Sequence, residues 1–125
     1  MHVMEIKGEA RLLRVFLSST DKFKHEPLYK VIVFAAKRYG LTGATVLKGV
    51  MGFGASSAIY SPTYWEIAEK VPMVVEIVDE VEKIEKFTDT ILPYFDNINK
   101  GCMITIEKAN IILHKKGSVK KVQNG

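Results

Sequence analysis

Gly49, Gly52 and Gly54, with Lys48 just ahead of them, are the residues whose types and spacing could do chemistry. Glycines this close together bare their backbone N–H groups, and an ammonium beside them completes a cradle for an anion. The run continues into Ala55, Ser56, Ser57 and Tyr60, small and polar residues suited to a loop that touches a partner. Phe53 inside it and Trp65 beyond it can stack on a base or anchor a partner, and burial at a subunit contact explains them equally. Asp21 can hold a ligand hydroxyl or amine, or serve as an ordinary loop acid at a helix entry. The pattern is not a P-loop, since no Gly-Lys-Ser/Thr ends it, and no helix start follows to make a dinucleotide fingerprint. A bent strand or bulge is the bland alternative.

Catalytic chemistry finds little to work with. His2, His25 and His114 are scattered, without a cysteine or carboxylate at metal-ligand spacing, so no metal site is expected. Ser56-Ser57 lacks the Gly-x-Ser-x-Gly elbow of a hydrolase nucleophile. Cys102 beside Met103 reads as a small buried apolar residue at a strand start, and one cysteine excludes an internal disulfide. The chain is therefore expected not to be an enzyme. Its formal charge of +4 has a location: residues 1–114 are formally neutral, and Lys115, Lys116, Lys120 and Lys121 supply the excess. A basic tail over 115–125 suits a frayed end better than a nucleic-acid surface, which normally lies on the folded body. With no apolar run near 20 residues and no signal-like leader, the expected compartment is the cytoplasm.

The elements that must position these residues follow from periodicity. The 125 residues suit one domain over 1–114. Arg11 to Ser18 alternates as a strand, with Leu13, Val15 and Leu17 on one face and Leu12, Arg14 and Phe16 on the other. Pro27 opens a helix whose apolar face is Leu28, Ile32, Ala35, Ala36 and Tyr39, and Gly40 stops it. A second strand holding Val46 and Leu47 runs into the glycine-rich loop, which extends through Pro62. Tyr64 to Lys70 is open between a short helical turn and an irregular strand. Pro72 to Val78 is a central strand, and Asp79 with Glu82 forms a capping box for a second helix on Val81, Ile84, Phe87, Ile91 and Phe95. Pro93 ends or kinks that helix, and Met103 to His114 closes the domain as one or two strands. The order is βαβ, loop, βαβ: an α+β, ferredoxin-like sandwich with both helices on one face of an antiparallel sheet. Phe16, Val46 and Val75 are expected to be buried between subunits on the open face.

These segments carry a family resemblance. Asp21, Pro27-Leu28-Tyr29, Gly43-Ala44-Thr45-Val46, Gly49 to Ala55, Pro72 with its Val-rich strand, and Gly101 resemble the Domain of Unknown Function 190 family (UPF0166 type), a branch of the PII-like signalling proteins. The likeness covers residues 10–114. It implies a cytoplasmic homotrimer that senses a small effector in clefts between subunits. The candidate effector is an adenine nucleotide, and the candidate site is Asp21, Lys48, Gly49, Gly52, Phe53 and Gly54. It also implies a partner, a membrane transporter or metabolic enzyme, on the loop residues Ala55, Ser56, Ser57 and Tyr60. The alternative is a structural interaction module with no effector. The chain departs from the pattern in placing Ser18-Ser19 where the family usually has Gly-Glu, and in having no basic residue or histidine across Ser57-Ala58-Ile59-Tyr60. A second glycine-rich turn for ATP phosphates, expected after the third strand, is replaced by Asp79-Glu80-Val81-Glu82-Lys83. Carboxylates there would repel a polyphosphate unless a metal intervened, which favours a less charged nucleotide or another small ligand.

Overall fold

Alternation of buried and exposed positions builds the sheet. In the computed structural model, which describes residues 8–54, 70–98 and 101–117, the first strand, β1, spans Gly8–Ser18 and buries Leu13, Val15 and Leu17 on one side. A two-residue hairpin turn joins the short strands β2 (Lys22–Phe23) and β3 (Glu26–Pro27). Helix α1 (Leu28–Tyr39) follows, then β4 (Thr45–Lys48), β5 (Pro72–Glu80), helix α2 (Val81–Ile91), a 3-10 turn at Leu92–Phe95 and β6 (Met103–Ile111). The four main strands pair antiparallel in the order β4-β5-β1-β6. This is the ferredoxin-like arrangement, with both helices on one side.

The register decides which residues reach the core. Leu13 opposes Ile77, Val15 opposes Val75 and Leu17 opposes Met73 on the helix side of the sheet. Leu28, Ile32, Ala35 and Ala36 of α1, and Ile84, Phe87 and Ile91 of α2, close over them in one buried cluster. Val46 and Val75 therefore belong to the core side: Val75 is fully buried and Val46 packs against the cluster. Of the residues expected on the open face, only Phe16 lies there, 38% exposed. Strict period-two alternation separates Phe16 from Val15, which pairs directly with Val75.

The helix ends show which sequence signals the backbone uses. Gly40 takes φ 92° at the end of α1, and the N–H groups of Gly40 and Leu41 donate to Lys37 and Ala36 carbonyls, a Schellman termination. Pro27 sits one residue before α1 and still pairs in β3. The expected capping box of α2 is absent. The helix begins at Val81 after Glu80, without a side-chain cap. Asp79, fully buried, instead accepts from the Glu80 N–H through Oδ1 (2.7 Å) and from the Thr42 N–H through Oδ2 (2.9 Å). That carboxylate ties the α1–β4 connection to the far end of β5. The α2 helix ends at Ile91 with Pro93 in the following turn, and β6 is one continuous strand.

Candidate functional site

One end of the sheet gathers the end of β1, the end of β4 and the starts of β5 and β6. Here Gly49 leaves β4 and lies directly on Pro72. Its N–H donates to the Pro72 carbonyl at 2.7 Å. A Cβ on Gly49 would stand 3.0 Å from Pro72 Cγ and 3.2 Å from its carbonyl oxygen, too close for a rigid ring on a strand. At Gly52 the same atom would meet Pro72 Cγ at 3.6 Å, an ordinary contact. Neither glycine takes a positive φ. Gly49 is therefore required for close approach to Pro72 and not for an unusual backbone angle.

Beyond Gly49 the chain turns outward. Lys48, Val50, Met51, Phe53 and Gly54 are exposed, with Phe53 at 74%. Three apolar side chains on six consecutive residues, Val50, Met51 and Phe53, thus face solvent and take no part in the core. The expected partner residues Ala55, Ser56, Ser57 and Tyr60, together with Trp65, fall outside the described residues.

Asp21 stands at the same end, but its carboxylate is turned inward. The residue is 5% exposed. Oδ2 accepts from the Ser18 N–H at 2.8 Å, the Asp21 N–H donates to the Ser18 carbonyl, and the Asp21 carbonyl accepts from the Leu28 N–H. Asp21 thus locks the turn that links β1 to the helix entry. That turn is joined to β5: the Ser19 N–H donates to the Val71 carbonyl at 2.8 Å, and the Val71 N–H donates to Ser19 Oγ at 2.9 Å. Pro72, next in the chain, carries Gly49. Asp21 and Gly49 are brought to one rim through Ser19, Val71 and Pro72, none of which sequence reasoning singled out as part of the site. The only signal for them was Pro72 at a strand start opposite a glycine-ended strand.

Cys102 borders this rim and is exposed, not buried as expected, because it stands just ahead of β6, a strand at the edge of the sheet. Its thiol pKa is pushed up from the usual value, first by partial burial and then by the negative charge of Asp21. Half-buried Lys70 precedes Val71, so Lys48 and Lys70 are the cations flanking the Val71–Pro72 step. The acidic corner Asp79–Glu82 lies at the other end of β5, about 26 Å away along an extended strand. Within a subunit its charge is largely screened from Gly49, since the separation exceeds the Debye length of about 8 Å at physiological salt. The connection that does arrive here, from the 3-10 turn to β6, brings Gly101. Among the described residues no group of three or more His, Cys, Asp or Glu is placed to hold a metal ion. No described helix is long and apolar enough to cross a membrane.

The open sheet face has its own polar centre. Arg14 Nε donates to Glu76 at 2.8 Å and Nη1 to Glu107 at 2.6 Å, so that one guanidinium on β1 joins β5 and β6. The hydrogen bond to Glu76 raises the Arg14 pKa, burial opposes it, and the charge of Glu107 adds to the rise. Phe16, Leu47, Val78 and Met103 surround this cluster and remain partly exposed.

Comparison with known proteins places this geometry. The chain is 35% identical over 102 residues to a UPF0166 protein of Aquifex aeolicus, covering 82% of this chain and 92% of that one. It is 35% identical over 78 residues to a UPF0166 protein of Methanocaldococcus jannaschii, covering 62% and 71%. Among solved structures, CPII from Thiomonas intermedia, a nitrogen regulatory PII-like protein bound to ADP, AMP and bicarbonate, superposes with TM-score 0.58 at 13% identity over 85% of this chain and 96% of that one. A candidate PII-like signalling protein from Thermus thermophilus gives TM-score 0.57 at 15% identity over 84% and 91%. These two likenesses concern the fold. The family described as "DUF190: Uncharacterized ACR, COG1993" matches residues 10–111. The chain belongs to this DUF190 family, and its fold is that of the PII-like proteins.

Proposed function

We propose that the protein is a PII-like cytoplasmic sensor, regulatory rather than catalytic, which binds an adenine nucleotide at the rim around Gly49 and Pro72. Lys48 and Lys70 supply charge for phosphate, Gly49 and Gly52 allow close approach, and the exposed ring of Phe53 can cover a base. Asp21 acts by holding the Ser18–Asp21 turn in place. The segment from Val50 onward, with Ala55, Ser56, Ser57 and Tyr60, carries the partner contact. In this reading the open sheet faces pack three subunits together, and each rim is completed by a neighbour.

The observation that carries the reading is the Gly49–Pro72 contact. It anchors an exposed segment to the sheet end where the Ser18–Asp21 turn is also tied. The ligands of the fold neighbour CPII support the choice of nucleotide. Since the acidic corner is remote within the subunit, AMP, ADP and ATP all belong in the test. Each is titrated while thermal unfolding is followed. A ligand at a hundred times its Kd should stabilise the protein by about 2.7 kcal/mol, and Lys48→Ala should reduce that shift. No shift with any of the three, at millimolar concentration and with the protein assembled, would overturn the effector reading and favour the interaction module.

A further inference from the structure

The two helices share the outer layer of the molecule, and their outward stripes carry opposite charge. Leu28, Ile32, Ala35 and Ala36 fix the inner face of α1, so the 3.6-residue period puts Lys30, Phe34 and Lys37 on its outer stripe with Arg38 alongside. All four are exposed, and α1 contains no Asp or Glu. Ile84, Phe87 and Ile91 fix the inner face of α2, which puts exposed Glu82, Lys86 and Asp89 outward with Glu85 alongside, a stripe of three acids and one lysine that is net acidic, and turns Lys83 to the flank. The edge of the Tyr39 ring against Phe87, with centroids 5.6 Å apart, holds the helices side by side. Among the described residues no ion pair joins the two stripes. Phe34, 59% exposed, has no aromatic or cationic partner there either.

We propose that this helical layer is a docking surface for a second copy of the chain. A half-turn about an axis lying in the interface and parallel to the helices lays α1 of one copy over α2 of the other, and the reverse, giving an isologous contact. The basic stripe then meets the acidic stripe twice, and Phe34 is covered between the flanking cationic stems. A flat anionic membrane suits the surface poorly. Packed helices lie about 10 Å apart, so the lipid charge attracting α1 would meet Glu82, Glu85 and Asp89 on its neighbour. A second copy matches both signs at once. The contact lies on the side opposite the open sheet face, so it does not depend on how the sheets assemble or on the effector.

Sedimentation velocity and light scattering of the full chain test this. The wild type should show a concentration-dependent association at about 20 mM salt that is lost by about 500 mM, because exposed charges are screened over a few ångströms there. Sheet-face contacts should survive that change. Lys30→Glu/Lys37→Glu should weaken the salt-sensitive step at least about tenfold, and Glu82→Lys/Glu85→Lys should do the same. Each variant carries two stripes of one sign and repels itself, yet an equimolar mixture of the two should associate again. Unchanged circular dichroism and melting temperature establish that these surface variants fold. The proposal is overturned if the wild type has one mass at both salt concentrations. It is equally overturned if the mixture stays apart, or if the wild type binds phosphatidylserine vesicles at low salt without associating with itself.

Discussion

Gly49 and Asp21 show how much a single side chain, or its absence, decides at the rim. Gly49→Ala forces a methyl against the Pro72 ring and carbonyl at 3.0–3.2 Å. Overpacking against a rigid neighbour costs about 1–3 kcal/mol. The variant should melt several degrees lower, and nucleotide-induced stabilisation should fall with it, whereas Gly43→Ala, where a Cβ meets open space, should do neither. Asp21→Ala strands the buried Ser18 N–H and should cost about 1–3 kcal/mol, read as a lower denaturation midpoint. A pH effect follows at Cys102. Burial and the Asp21 charge both disfavour the thiolate, so its raised pKa leaves less of the reactive form at any given pH. Alkylation at pH 8 should run slower than for a free thiol, and Asp21→Asn should speed it by removing the second cause. The glycine cluster was legible in the sequence as a special backbone. Its partner Pro72 was not, because the contact joins residues separated by a long loop.

At the scale of elements, the hairpin between β2 and β3 turns through Lys24 and His25, with φ 49° and 71°. Two positive φ values in a two-residue loop define a type I′ turn, for which Asn-Gly is the favoured pair. Left-handed backbone costs a non-glycine residue about 1–2 kcal/mol. Lys24→Asn/His25→Gly should therefore raise the melting temperature by roughly 3–5 °C, provided the Phe23–Tyr94 ring contact at 4.8 Å is preserved. Neither Lys24 nor His25 is a turn signal, so the sequence does not mark this hairpin. The helices were more legible. The spacing of Leu28, Ile32, Ala35 and Ala36, and of Ile84, Phe87 and Ile91, located both buried faces, although Tyr39, expected on the first, is 40% exposed, and Phe95, expected on the second, lies in the 3-10 turn beyond α2. Asp79 misled because an acid before a helix looks like a cap. Its oxygens are taken by backbone N–H groups of Thr42 and Glu80, one of which arrives from across the fold.

At the scale of the whole molecule, the open sheet face sets what assembly can look like. Arg14, bridged to Glu76 and Glu107, is ringed by Phe16, Leu47, Val78 and Met103. An apolar rim around a satisfied ionic centre can be buried without stranding a charge. If three subunits pack through this face, Phe16→Glu should reduce the mass in light scattering from three chains to one. The same variant should also lose nucleotide-induced stabilisation, because the rim would lack its neighbour. A monodisperse wild-type monomer would count against both the trimer and the shared site.

Local periodicity by itself determined the two helices, three of the four main strands to within a few residues and the α+β class, while the family likeness rested on short motifs such as Gly49 to Ala55. The elements depend on neighbours a few positions apart, and period-two and 3.6-residue patterns record them directly. Only the tertiary structure decided which residues form the rim. Antiparallel register places Val46 and Val75 inward and Phe16 outward, packs Gly49 on Pro72, and turns Asp21 into its own turn. It also removes the acidic corner to the far end of β5, so the charge that a polyphosphate would meet at Gly49 is set by strand direction. Contacts across a sheet depend on distant segments arriving together, and no local pattern encodes that.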